Sequence, residues 1–279
     1  MGNTDPKKSP WTCWLAPLSH RKVTKMTEEV FGFNNLTKAL SFNLYDFAVA
    51  LNDEERQSYI RYIDERYSAK QIEANLVRIA EIIDAEVLNV NSKDFDPYGA
   101  SAVLLMSDVK GAQATQQSNL MSQSTVSVHL DKSHICAHTY PDSQDPSGVC
   151  TFRVDIDIAT CGSISPLYAL DFMFQAFECD VVCVDYVVRG FSRNKRGDKI
   201  FMDQKVESVT NFVSPLILRD YETIDKNYPE HFTYQTMFCR KELDGSNYFR
   251  SPRTVPPEVM KEKMALIRKE MDSIANLIK

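Results

Sequence analysis

Residues 152 to 158 read Phe-Arg-Val-Asp-Ile-Asp-Ile, an unbroken alternation of apolar and charged side chains. A helix would spread those apolar groups around its circumference, whereas a strand gathers them on one face. The segment therefore predicts a strand with one dry face and one wet face. Weaker patterns of the same kind predict further strands at Val87 to Val90, Ser101 to Met106, Val126 to Leu130, Ile135 to Tyr140 and Val181 to Val188. Pro97 and Gly99 mark a turn between the first two of these.

The period changes elsewhere. Asp53-Glu54-Glu55 favours a helix N-terminus through the macrodipole, and Tyr59, Ile60, Tyr62 and Ile63 follow at helical spacing. Ile72, Leu76, Ile79, Ile82 and Ile83 form an apolar stripe from about residue 70 to 85. Pro166 suits the first turn of a helix running to about Glu178, and residues 257 to 279 read as a C-terminal helix. Between Arg189 and that helix the pattern is weak. Strands and helices in separate blocks predict an α+β fold, with a mainly antiparallel sheet covered on one face by helices.

Composition excludes several classes. With 279 residues, 43% hydrophobic and 25% charged, the chain can bury a large core, and one domain is the simpler reading. A net charge of −6 with scattered Lys and Arg argues against general nucleic-acid binding. The apolar runs fall far short of the roughly 18 to 20 residues that cross a bilayer. Seven cysteines, with no CxxC pair, point to a reduced cytoplasmic setting. Residues 1–25 carry three prolines and several basic groups and read as a flexible extension, with a domain from Met26 onward. Residues 108 to 125, rich in Gln, Ser, Ala and Thr, read as an exposed insertion.

That insertion leads to the densest chemistry in the chain. Residues 129 to 142, His-Leu-Asp-Lys-Ser-His-Ile-Cys-Ala-His-Thr-Tyr-Pro-Asp, set a hydroxyl, a thiol and three imidazoles around one Lys-Ser bond. The Ser133 hydroxyl can attack the Lys132 carbonyl, turning the peptide into an ester. A base can then take the Ser133 Cα hydrogen and eliminate the ester, leaving a pyruvoyl group at the start of a new chain. An imidazole titrates in the range that such a base needs.

This stretch, together with Pro97-Tyr98-Gly99-Ala100-Ser101 and Thr160-Cys161-Gly162, closely resembles the pyruvoyl-dependent S-adenosylmethionine decarboxylases in their longer bacterial form. The resemblance runs from Phe33 to about Asp203. Asn34-Asn35-Leu36-Thr37, Asp185-Tyr186 and Arg189-Gly190-Phe191 also match, with no chemical role assigned. It implies the sandwich fold of that family, self-cleavage between Lys132 and Ser133 into chains 1–132 and 133–279, and a pyruvoyl cofactor from Ser133. It further implies a Schiff base with S-adenosylmethionine and release of carbon dioxide, giving an aminopropyl donor for spermidine synthesis.

By the same resemblance His138 is the processing base, Ser101 assists it, and Cys161 returns a proton to the carbon that lost carboxylate. Phe95 stacks on adenine and Asp142 addresses the ribose, although the family commonly has glutamate there. Stimulation by magnesium and an oligomer of paired, cleaved protomers are also implied. Five residues separate Ser133 from His138, and five steps along a strand point two side chains to opposite faces, so a bend at the cleavage site is expected.

Three other readings stand beside this one, the first an uncleaved relative that serves only as a partner subunit. A pyruvoyl group decarboxylates whatever amino acid the pocket positions, so arginine or ornithine are alternative substrates. His134, Cys136 and His138 alternate along a strand and, with His129, offer zinc ligands.

Overall fold

A computed structural model describes residues 36–107 and 133–277. The 1–25 extension, the 108–125 insertion, the strand expected at 126–130, His129 and Lys132 lie outside the described residues.

Strand β1 (Thr37–Val49) shows how the sequence builds the sheet. Leu40, Phe42 and Leu44 are almost fully buried, while Ser41 and Asn43 between them are only partly covered. A sheet buried on one face and partly open on the other gives this period of two. Next come two helices, α1 (Asp53–Arg66) and α2 (Ala69–Ile82). Asn52 caps α1 by accepting from the Glu55 amide at 3.0 Å, and Glu55 reaches back to accept from the Leu51 amide at 2.7 Å. Two donors that the helix cannot satisfy itself are thereby paired. Ile72, Leu76 and Ile79, the stripe on α2, are fully buried.

Strands β2 (Glu86–Asp94), β3 (Ala100–Ser107), β4 (Ser133–Asp142) and β5 (Val149–Cys161) follow. Pro141 sits late in β4 without disturbing the ladder to β3, because β3 stops pairing after His138. Gly148 enters β5 with φ +82°, and a Cβ there would lie 2.6 Å from the Ala50 carbonyl oxygen, so only glycine fits. A 3₁₀ turn at Pro166–Ala169 leads into α3 (Leu170–Ala176) and then β6 (Val181–Arg189).

Beyond Arg189, β7 (Ser192–Arg193) and β8 (Lys199–Ile200) make a small hairpin. The chain continues through α4 (Pro215–Asp220), β9 (Tyr221–Tyr228), β10 (Thr233–Arg240) and α5 (Pro257–Leu277).

Eight strands form one antiparallel sheet in the order β2-β3-β4-β5-β1-β6-β10-β9. Helices α1 to α3 cover one face over the main core, which includes Leu40, Phe42, Leu76, Phe152 and Phe174. Helix α5 packs Ile267 and Met271 against one end of the other face, over Phe47, Val49, Val181 and Met237. The remainder of that second face carries the partly exposed residues of β3, β4, β5 and β1 and is called the open face below.

A buried polar hub fastens the covered end. The Asp180 carboxylate accepts from the Phe47 amide (3.1 Å), Arg240 (3.1 Å) and the Tyr248 hydroxyl (2.7 Å). It joins the strand β1, the start of β6, the end of β10 and the segment before α5.

Candidate active site

Ser133 is the first residue of β4 and only 3% exposed, on the helix-covered face of the sheet. Cys161 is the last residue of β5. The two strands are antiparallel neighbours, so the start of one meets the end of the other. The Cys161 amide donates to the Ser133 hydroxyl oxygen at 3.1 Å. The turn that carries Cys161 is itself held: Thr160 Oγ1 donates to the Ile164 carbonyl at 3.1 Å, and the Gly162 amide donates to the Leu36 carbonyl at 3.1 Å. Gly162 has φ +69°, a left-handed conformation that glycine adopts at little cost. The sequence motif Thr-Cys-Gly is thus a strand end followed by a tight reversal.

His138 lies in the same strand as Ser133, but the chain does not bend between them. From His134 to Asp142, β4 pairs with β5 in one uninterrupted register, and burial alternates along its whole length. The expected bend is therefore corrected. Pairing on both sides, to β3 and β5, keeps the strand straight. Five steps of about 3.3 Å put Ser133 and His138 roughly 17 Å apart along the strand, on opposite faces.

Around His138 a second group forms. Ser101 is its direct cross-strand partner on β3, and both face the open side. Asp155 is its partner on β5 and binds Arg153 through two contacts, at 2.8 and 2.5 Å. The Arg153 guanidinium also lies 5.2 Å from the centre of the Tyr140 ring, which flanks His138. Asn91, Lys93, Ser101, Val103, Cys136 and His138 line a cavity of about 280 Å³ there.

Phe95 and Asp142 sit at the same end of β3 and β4. The Phe95 amide donates to the Gly99 carbonyl at 2.8 Å, and a Cβ on Gly99 would press to 3.0 Å from the Thr139 carbonyl, which seats this turn on β4. The Phe95 ring is 42% exposed and open to a ligand. Asp142 accepts from the Gln144 amide at 2.9 Å and is otherwise exposed.

The named residues thus fall into two groups, Ser133 with Cys161 and Phe95 with Ser101, His138 and Asp142. Tyr140, Arg153 and Asp155 were missed by sequence reasoning as neighbours of His138. Their signal was present in the alternation of residues 152 to 158, which sends Arg153 and Asp155 to the open face.

His134, Cys136 and His138 do share one face of β4, as the zinc reading requires. Among the described residues, however, no three His, Cys, Asp or Glu side chains come together closely enough to hold a metal ion. Burial raises the Cys136 thiol above its ordinary range, the opposite of what a ligand thiolate needs. The six described cysteines are all free thiols, and no helix among the described residues is long and apolar enough to cross a membrane.

The fold is α+β, and comparison with known proteins defines the class of enzyme to which the chain belongs. A family profile described as S-adenosylmethionine decarboxylase matches residues 64–190. The S-adenosylmethionine decarboxylase proenzyme of Xylella fastidiosa (strain M12) is 46% identical over 217 residues, covering 78% of this chain and 82% of that protein. That of Stenotrophomonas maltophilia (strain R551-3) is 43% identical over 246 residues, covering 87% and 93%. A solved adenosylmethionine decarboxylase from Aquifex aeolicus VF5 superimposes at a TM-score of only 0.32 with 18% identity, over 63% of this chain and all of that one. The chain belongs to the S-adenosylmethionine decarboxylase family of enzymes.

Proposed function

We propose that this chain is made as a proenzyme, cleaves itself between Lys132 and Ser133, and then decarboxylates S-adenosylmethionine to the aminopropyl donor of spermidine synthesis in the cytoplasm. One observation supports the reading: the Ser133 hydroxyl is buried and accepts from the Cys161 amide at 3.1 Å, which sets the nucleophile beside the residue that carries the thiol.

Ser133 Oγ attacks the carbonyl carbon of Lys132, and the amide nitrogen leaves to give an ester. Removal of the Ser133 Cα hydrogen then expels the Lys132 carboxylate and leaves a dehydroalanine, which tautomerises to an imine that water hydrolyses to the pyruvoyl carbonyl with release of ammonia. Residue 133 fits the resulting pyruvoyl group, because it is dry, ends a strand pair and has a thiol-bearing neighbour. That group supplies a carbonyl able to take up the electrons released when carbon dioxide departs. Cys161 returns the proton to the carbon left behind, a task suited to a thiol near neutral pH.

His138 cannot serve its own Ser133 across about 17 Å of straight strand. We therefore assign it, with Ser101, to Ser133 of a second copy. A two-fold pairing does this symmetrically, each copy lending the His138 group to the Ser133 group of the other. Phe95 and Asp142 travel with His138, so adenine and ribose are held by one copy and the reacting carbon by the other. Magnesium stimulation is part of the same reading, with no described residue assigned to the ion.

Intact mass and carbon dioxide release test the proposal together. Wild-type protein is expected as chains 1–132 and 133–279, releasing carbon dioxide from S-adenosylmethionine, and Ser133→Ala as one inactive chain. An uncut wild-type chain would remove the cofactor. Release from arginine or ornithine alone would keep the chemistry and overturn the substrate.

A further inference from the structure

A charged residue lies beneath the Cys161 turn where an apolar one would pack. Lys38 on β1 is 1% exposed and faces the helix-covered core. It pairs with Thr160 across the β1–β5 ladder, and continuing the β4–β5 register by one residue places Ser133 next in the same row. Its ammonium donates to the Gly162 carbonyl at 3.0 Å and to Asp203 at 2.6 Å. Asp203 is itself only 11% exposed.

Burying such a pair carries a desolvation penalty that its attraction often does no more than offset, and well-packed apolar side chains commonly serve stability as well. Stability alone therefore does not account for an ammonium at this place. What it does hold is specific: the carbonyl of the residue that follows Cys161. With the Gly162 amide on Leu36 and Thr160 on Ile164, this fixes the turn from three sides. The turn in turn presents the Cys161 amide to Ser133 Oγ and carries the thiol.

We propose that Lys38 is a positioning residue for both stages of the reaction, acting through the Gly162 carbonyl, with Asp203 holding its ammonium in place. This rests on the roles assigned above to Ser133 and Cys161. Before cleavage the clamp sets the amide that orients the nucleophile; after it, the same clamp sets the thiol that returns the proton. It also crosses the cut, since Lys38 stays with chain 1–132 while Gly162 and Asp203 belong to chain 133–279.

The test removes both charges together in Lys38→Met with Asp203→Asn, so that neither is left buried alone. Misplacing a reacting group by about 1 Å can cost roughly 10²-fold in rate. The double variant is expected to fold, to cleave at least about tenfold more slowly, and to show kcat reduced about 10- to 100-fold with KM within about twofold of wild type. A purely structural role would leave the kinetics of the folded fraction unchanged. A folded double variant that cleaves and turns over within twofold of wild type overturns the proposal. If the double variant does not fold, Asp203→Asn alone decides the matter, by the same kcat loss at constant KM or its absence. Cys161→Ala, measured in parallel, separates the two levels: normal turnover there defeats the role of Cys161, whereas slow turnover there with a wild-type-like clamp variant defeats only the role of Lys38.

Discussion

Ser133 and Cys161 meet through a backbone amide, which makes their relation a property of strand ends and not of side-chain packing. Cys150 and Cys183 are buried thiols. Burial pushes Cys150 up to about 11 and Cys183 up to about 12, which disfavours the thiolate of both at pH 8. Both should resist iodoacetamide in the native protein at pH 8 and react once it is unfolded, as peptide mass mapping would show. Rapid native alkylation of Cys150 would contradict the burial assigned to it. At this scale the sequence was readable where a motif fell on a strand end, as with Thr160-Cys161-Gly162. The bend expected between Ser133 and His138 is absent, because β4 stays paired to β5 without interruption.

The elements follow the hydrophobic period wherever each has one wet face. Strand β5 and helix α2 were legible for that reason. Strands β9 and β10 were not: β9 is a polar edge strand with Tyr221 its one buried residue, and β10 is covered on both faces, by the main core and by α5, so neither alternates cleanly. The face taken by α5 was also hidden, since an apolar stripe says that a helix is packed and not against what. The hub at Asp180 holds these late elements to β1. Arg240→Met would leave that carboxylate 3% exposed with no cation, and should destabilise the protein by ~3 kcal/mol, the low end for breaking a buried pair because Arg240 itself is 31% exposed. Equilibrium denaturation would measure the loss. A change below about 0.5 kcal/mol, as for an ordinary surface site, would show that the hub does not fasten the sheet.

Across the whole molecule Ser133 starts one straight strand and His138 lies midway along it on the opposite face, and the proposed sharing of the site rests on this separation. A site complete within one copy needs β4 to bend; a site shared between copies needs only a two-fold axis. The decarboxylase family was legible in the sequence, but the sharing of the site proposed here was not, because it depends on β4 staying paired to both neighbours through His138. The most direct measurement is co-expression of two differently tagged variants, Ser133→Ala and His138→Ala, with cleavage followed by intact mass. Neither should cleave alone. Together, the His138→Ala chain should be cut at Lys132–Ser133, using the imidazole of its Ser133→Ala partner, and carbon dioxide release should return. If the mixed pair forms and the His138→Ala chain stays whole, or if that chain cleaves by itself, the shared site is wrong.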